Sequence, residues 1–237
     1  MRISIITINL NDNRGLEKTM HSVNQQDYPD LEHLIIDGVS TDGSLQTIEN
    51  LKTDRTHWIS EPDQGIYDAQ NKGIKMATGD YLLFLNAGDY LVSSNTLTQV
   101  VSQLGSHDLV YGDMQSTDAT GQTKHLKMHP KLDAKVLYKD TIWHPVSFFR
   151  KSLFEQFGNY DTNYRIVADY EFYCRLYFRH HISSKHIPIE VSCFDMSGVS
   201  SQEEHREQLI RERKQVQDNY FPKFQLFLFR LYTKLRN

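Results

Sequence analysis

Four short apolar runs, Ile3 to Ile8, His33 to Ile36, His57 to Ile59 and Tyr81 to Leu85, alternate with stretches of helical periodicity, and this rhythm restricts the fold more than any other feature. Ile3 to Ile8 is dominated by β-branched residues, as a strand buried on both faces requires. The stretches between the runs, Leu16 to Asn24, Ser44 to Leu51 and Tyr67 to Met76, read as helices. Asp27-Tyr28-Pro29 and Gly79 close the first and the third. A βαβα series of this kind predicts a mostly parallel sheet with helices on both faces.

After Asp89 the rhythm changes. Thr96 to Leu104 reads as a helix and Leu109 to Tyr111 as a strand, and a mixed segment rich in His, Lys and Asp runs to Trp143. Ser152 to Phe157 and Asp169 to Phe178 are helical in pattern. Near Ser200 a charged run (Glu203 to Arg213) leads into Phe221 to Asn237. There Phe221, Phe224, Leu228, Leu231, Tyr232 and Leu235 fall on one helical face, with Lys223, Arg230 and Lys234 opposite. Such a helix serves either to dock on an anionic membrane surface or to pack on the domain or a second subunit; amphipathicity alone does not separate the two. The expected organisation is one domain over residues 1–200 and a helical tail over 201–237.

Composition narrows the function. Apolar and charged fractions of 39% and 24% permit a packed core. A formal charge of -4 offers no basic excess for a nucleic-acid partner, which leaves small molecules. Cys174 and Cys193 form no CxxC, and two reduced thiols is the simpler reading. Asn9 and Asn11 end the first apolar run too early for a secretion signal, and no stretch of roughly 18 apolar residues is long enough to span a membrane. The expected location is the cytoplasm, with the inner face of a membrane as the place the tail would touch.

Ligands of open parallel sheets bind at the carboxyl ends of the strands. Three polar sets stand there: Thr7, Asn9 and Asn11; Asp37, Gly38, Ser40 and Asp42; Asn86, Gly88 and Asp89. Turn formation accounts for any one of them, and Asp42 suits a helix cap. Three acceptor-rich sets at successive strand ends favour a ligand site. No GxGxxG follows the first strand and no GxxxxGK[ST] occurs, so a nucleoside diphosphate would need its charge met by a metal or by basic side chains. Asp89, expected on an exposed strand end, suits a hard cation such as Mg²⁺ or Mn²⁺. The eleven histidines show no HExxH, and the adjacent His180 and His181 point apart on a helix.

The segments Ile36-Asp37-Gly38-Val39-Ser40-Thr41-Asp42-Gly43-Ser44 and Ser60-Glu61-Pro62-Asp63-Gln64-Gly65-Ile66-Tyr67-Asp68-Ala69-Gln70-Asn71-Lys72-Gly73 resemble signatures of family 2 glycosyltransferases. Ala77-Thr78-Gly79-Asp80-Tyr81 leading into Phe84-Leu85-Asn86-Ala87-Gly88-Asp89 is similar to the family's DxD region. His144-Pro145 and Ala168-Asp169-Tyr170-Glu171-Phe172 are similar to its acceptor-side motifs. The likeness runs in order from Met1 to Ser200. It implies a GT-A type α/β nucleotide-binding sandwich with a mostly parallel central sheet, acting on a nucleotide-sugar donor and a glycan or lipid-linked acceptor. By this resemblance Thr7, Asn9 and Asp37 line the nucleoside pocket with Asp68 and Lys72 close to it, and Ser40 and Asn86 also bind the donor. Asp89 would hold a divalent metal, His144 would meet the acceptor, and Asp169 would be the base of an inverting displacement. Asn86 and Gly88 stand where the family commonly has acids, which leaves Asp89 the one carboxylate of that motif. Two other readings compete: a nucleotidyltransferase, for which the loop Asn9 to Gly15 is a poor match, and a sugar-nucleotide-binding protein with a decayed site.

Overall fold

β1 (Ile3–Asn9) pairs along both edges and is buried along nearly its whole length, which is why four of its seven residues are Ile. In the computed structural model, which describes residues 1–117, 122–195 and 206–235, β1 runs parallel to β2 (Leu31–Asp37) on one side and to β4 (Tyr81–Phe84) on the other. β3 (Thr56–Ser60) extends this unit in parallel beyond β2. The helices α1 (Asn13–Asn24), α2 (Ser44–Leu51) and α3 (Ile66–Met76) make the crossovers. These are the elements the apolar rhythm predicts, with only their ends shifted. Asp42 sits before α2 as expected, its carboxylate accepting from the amides of Ser44 and of Asn13 at the start of α1.

Beyond β4 the sheet continues through β8 (Ser147–Arg150), antiparallel to β4, then β6 (Leu109–Thr117), antiparallel to β8. β9 (Ser184–Asp195) lies parallel to β6, and the two-residue β5 (Tyr90–Leu91) closes that edge. β7 (Thr123–Leu126) shares the remaining edge of β6. The sheet is thus α/β in architecture, with a parallel half that follows the sequence reading and an added half in which directions mix. β9 escaped that reading because Pro188 interrupts it, and proline removes a ladder donor. Pro188 sits where the β6–β9 register slips between Tyr111 and Asp113, at a bulge where that donor is not needed.

The other helices are α4 (Thr96–Leu104), α5 (Ala134–Lys139), α6 (Ser152–Phe157), α7 (Ala168–Arg175), α8 (Arg206–Tyr220) and α9 (Lys223–Lys234). A core of interlocked rings, Phe84, Phe149, Phe154, Tyr160 and Phe172, ties α6 and α7 to β4 and β8, with centroid separations from 4.5 Å to 6.1 Å. Truncating one such ring costs about 3–5 kcal/mol, so the placement of α7 is firmly set by packing. Cys174 and Cys193 are buried free thiols, and burial pushes the Cys174 thiol up to about 12.

The C-terminal segment departs from the single amphipathic face drawn from sequence. Leu226 and Phe221 are buried, and Phe229 stacks on Tyr138 of α5 at 4.9 Å, so this side of α9 faces the body. Phe224, Leu228, Leu231, Tyr232 and Leu235 remain exposed on the other side. Lys223 and Lys234 border this exposed face, whereas Arg230 is turned to α8 and pairs with Asp218 at 2.7 Å. Among the described residues no helix is long and apolar enough to cross a membrane.

Candidate active site

In the order β3-β2-β1-β4 the chain departs from β1 in both directions, so the crevice at the carboxyl ends of β1 and β4 is the natural ligand position. Register puts Asn9, Asp37 and Ser60 side by side across three strands. Asn9 Nδ2 donates to Asp37 Oδ1 at 2.9 Å, and the Ser60 hydroxyl donates to Asp37 Oδ2 at 2.7 Å. The Ser40 amide adds a third bond at 2.9 Å, and the Ser40 hydroxyl accepts from Asn9 and from the Asn11 amide. Burial raises the Asp37 carboxyl, but the bonds from Ser40, Ser60 and Asn9 outweigh it and hold its pKa below the ordinary value. Asn9 Oδ1 is buried without a partner, so this cluster keeps one acceptor unspent. Next to it Val39, a β-branched residue, stands exposed at φ 66°. Such a conformation costs of order 1–3 kcal/mol and is typical of ligand sites.

Thr7 is placed differently. It is fully buried inside the sheet, its hydroxyl donating to the Leu85 carbonyl at 2.7 Å and lying 2.9 Å from His33 Nε2. Its polar group is used within the fold and presents nothing to the crevice.

A second cluster forms around α3. Gly73 packs against β1 so closely that a Cβ there would lie 2.4 Å from Ile6 Cγ2. This approach brings Tyr67 and Gln70, about two turns and one turn earlier, over the crevice. Gln70 Nε2 donates to Asn86 Oδ1 at 3.1 Å, and Asn86 Nδ2 lies 3.2 Å from His144 Nε2. His144 Nδ1 in turn faces Asp169 Oδ2 at 3.4 Å. With Asn86 donating, His144 Nε2 is the accepting nitrogen, and the imidazole proton resides on Nδ1 towards Asp169. Asp169 Oδ1 accepts from the Tyr170 amide at 2.8 Å and faces the Tyr67 hydroxyl at 3.0 Å. Burial, then the Asp169 charge, raises the Tyr67 phenol well above its usual value, so it stays protonated as a donor. Asp169 therefore does serve the first turn of α7, through one oxygen only.

Asp68 and Lys72 stand on α3 and hold the loop that enters it. Lys72 Nζ donates to the Pro62 carbonyl at 2.6 Å and pairs with Glu61 at 3.0 Å, while Asp68 accepts from the Gln64 amide. The loop turns on Gly65 at φ 119°, a conformation that favours glycine. Asp89 corrects the expectation of an exposed strand end: it is 3% exposed. The Thr19 hydroxyl of α1 donates to the Asp89 carbonyl and accepts from the Gly88 amide, folding the Asn86–Asp89 turn beneath α1.

Three contributors lay outside the sequence reading. Tyr67 and Gln70 stand in a quoted motif without a role of their own. Glu212 of α8 had no signal at all, yet its buried carboxylate accepts from the amides of Arg165, Ile166 and Val167, just before Asp169. A cavity of about 290 Å³ adjoins this cluster, lined by Gln64 to Asp68 on one wall and by Tyr164, Arg165 and Ile166 on the other.

The sequence model of the family described as Glycosyl transferase family 2 matches residues 4–184. The PGL/p-HBAD biosynthesis glycosyltransferases of Mycobacterium bovis and Mycobacterium tuberculosis are 34% identical over 205 residues, covering 82% of this chain and 77% of theirs. Among solved structures, residues 1–349 of TarS from S. aureus superpose with a TM-score of 0.69 at 18% identity, over 94% of this chain and 67% of that one. The same TarS fragment with UDP-GlcNAc gives 0.67. The mannosyltransferase PcManGT of Pyrobaculum calidifontis, with GDP-Man and Mn²⁺, gives 0.61 at 19% identity, over 81% of this chain and 56% of that one. These likenesses establish the GT-A type of fold.

Proposed function

Because the chain belongs to glycosyl transferase family 2, we propose that it carries a glycosyl group from a nucleoside diphosphate sugar to an acceptor hydroxyl with inversion, using Asp169 as the base. The observation that carries this reading is the unbroken line Tyr67–Asp169–His144–Asn86–Gln70, which joins the acceptor-side motif to the donor-side turn. Asp169 Oδ1 is engaged by Tyr170 and Tyr67, whereas Oδ2 faces His144 Nδ1 alone and keeps a lone pair to take a proton. The acceptor oxygen forms its bond to the anomeric carbon and gives its proton to Oδ2. The bond from the anomeric carbon to the diphosphate oxygen breaks with its electron pair staying on the nucleoside diphosphate. A single displacement of this kind inverts the anomeric centre.

The Asn9–Asp37–Ser40 cluster is the nucleoside end of the donor site, and the spare Asn9 Oδ1 offers it an acceptor. TarS with UDP-GlcNAc and PcManGT with GDP-Man support a nucleotide-sugar donor, since both share the fold. The cavity beside Tyr67 and Ile166 receives the acceptor, because those two residues also flank Asp169. Among the described residues no three His, Cys, Asp or Glu side chains converge into a metal cage. A hard cation shared with a diphosphate needs only one or two protein carboxylates, and Asp89, in the turn after β4, would be its holder. When bound, Mn²⁺ or Mg²⁺ would neutralise charge on the departing diphosphate.

The test is a donor panel incubated with Mn²⁺ or Mg²⁺, read by release of nucleoside diphosphate, with the product anomer assigned by NMR. Asp169→Asn should keep donor binding and lose transfer by about 10²–10⁴-fold, the usual contribution of a general base. Retention of configuration, or a loss of only a few-fold, would refute the assignment. Binding without turnover of any donor would favour the decayed-site reading.

A further inference from the structure

The large apolar side chains that this protein leaves in water are concentrated in one place. Among the described residues, six of the ten exposed ones lie on α9 or at its end: Phe224 at 75%, Phe227 at 60%, Leu228, Leu231, Tyr232 and Leu235 at 78%. At 3.6 residues per turn they form a single stripe. The opposite edge of α9 is already satisfied, with Leu226 buried and Phe229 stacked on Tyr138. The exposed stripe is therefore surplus to the fold, and an apolar patch of this kind marks an interaction surface.

Charge indicates what covers it. Residues 206–237 carry eight Lys and Arg against three Asp and Glu, in a chain whose totals are 26 against 30. The basic groups flank the stripe: Lys223 and Lys234 lie along one border, and Lys139 of α5 stands 5.8 Å from the Tyr232 ring. A two-fold contact between copies through this face would set the same basic segment against itself. A lipid leaflet with anionic headgroups supplies both an apolar layer for the Phe and Leu side chains and opposite charge for the lysines. We propose that α9 docks this protein on an anionic membrane surface, with Phe224, Phe227, Leu231 and Leu235 inserted and Lys223 and Lys234 at the headgroups.

Docking here bears on the acceptor side of the site. α8 and α9 are joined at Phe221 and Pro222, and α8 holds the segment before Asp169 through Glu212 and the α7 side chain Glu171 through Tyr220. A surface bound to α9 therefore stands at a fixed position relative to Asp169. The docking itself does not rest on the transfer reading.

The test is cosedimentation of the full chain with vesicles of phosphatidylcholine alone or with one third phosphatidylglycerol. Wild type should bind the anionic vesicles, more weakly as salt rises. Phe224→Gln/Phe227→Gln/Leu231→Gln should weaken binding at least about tenfold with no change in thermal unfolding, as these side chains stand in solvent. Lys223→Gln/Lys234→Gln should weaken it by roughly 30-fold on anionic vesicles and little on neutral ones, a factor of about five per lysine. Failure of wild type to bind, or equal binding by both variants, overturns the proposal. So does a wild-type dimer by light scattering that the Phe/Leu variant converts to monomer while neither binds vesicles, which would show a second copy on this face.

Discussion

His33 gives the sharpest quantitative consequence of the fold. It is 1% exposed on β2, and its Nε2 faces the Thr7 hydroxyl, which itself donates to Leu85; the imidazole thus donates from Nε2 and leaves Nδ1 buried without a partner. A second proton would have to sit on that Nδ1. Burial, helped by the charge of Arg55, pushes the pKa down to about 3 from 6.5. As pH falls, the unfolded chain takes up this proton first, so stability is full above the unfolded value and is lost between pH 6.5 and about 3. Between pH 7.5 and 5.0 the loss attributable to this one residue is about 2 kcal/mol, from roughly 1.4 kcal/mol per pH unit below the unfolded pKa. His33→Gln keeps a donor for Thr7 and removes the titration. Urea unfolding of wild type and variant across that range should show wild type losing about 2 kcal/mol more. Parallel stability curves would refute the argument, and would mean that the buried imidazole accepts its proton without cost.

Asp89→Asn should raise the Mn²⁺ concentration needed for half-maximal donor cleavage by roughly 10–100-fold, the loss of a charge-assisted contact; an unchanged Mn²⁺ titration would remove the metal assignment. Asn is chosen because Asp89 is buried, and truncation to Ala would confound the result with misfolding. Glu212→Gln replaces one oxygen that accepts backbone amides by an amino group, so it should cost about 1–3 kcal/mol of stability. It should also lower kcat with donor KM unchanged, because the segment it holds leads into Asp169 and is remote from Asn9, Asp37 and Ser40. Equal shifts in donor KM would show that its effect is general destabilisation.

The parallel half was legible because each of its elements is local. A β-branched run announces a doubly buried strand, and the Asn, Asp and Ser that end it announce the crevice. Asn9, Asp37 and Ser40 could be grouped without a structure since parallel neighbours end on the same side. Thr7 shows the limit of that reasoning. It stands two residues before Asn9 on the same face, but the sheet is already closed over it, and its hydroxyl is used by His33 and Leu85. Asp89 shows the same limit in another form, since nothing in Asn86 to Asp89 reveals that Thr19 of a preceding helix draws the turn inward. Glu212 was invisible because its partners are backbone amides more than forty residues away, and amides leave no trace in side-chain pattern.

The reversal of direction at β8 explains how the two sides of the site meet. Leu83 of β4 pairs with Phe148 of β8 in antiparallel register, so the chain just before Ser147 lies beside the chain just after Phe84. Those two segments hold His144 and Asn86. Had β8 run parallel to β4, its amino end would lie beside the amino ends of β1 and β4, with His144 on the wrong side of the sheet. The antiparallel strand therefore delivers His144 to the carboxyl ends of β1 and β4 with no further crossover. α7 then needs only to pack on β8 through Phe149 and Phe172, at 5.7 Å, for Asp169 to reach that histidine. The strand that breaks the parallel pattern is the one that brings His144 and Asp169 to the crevice, with His144-Pro145 immediately before it.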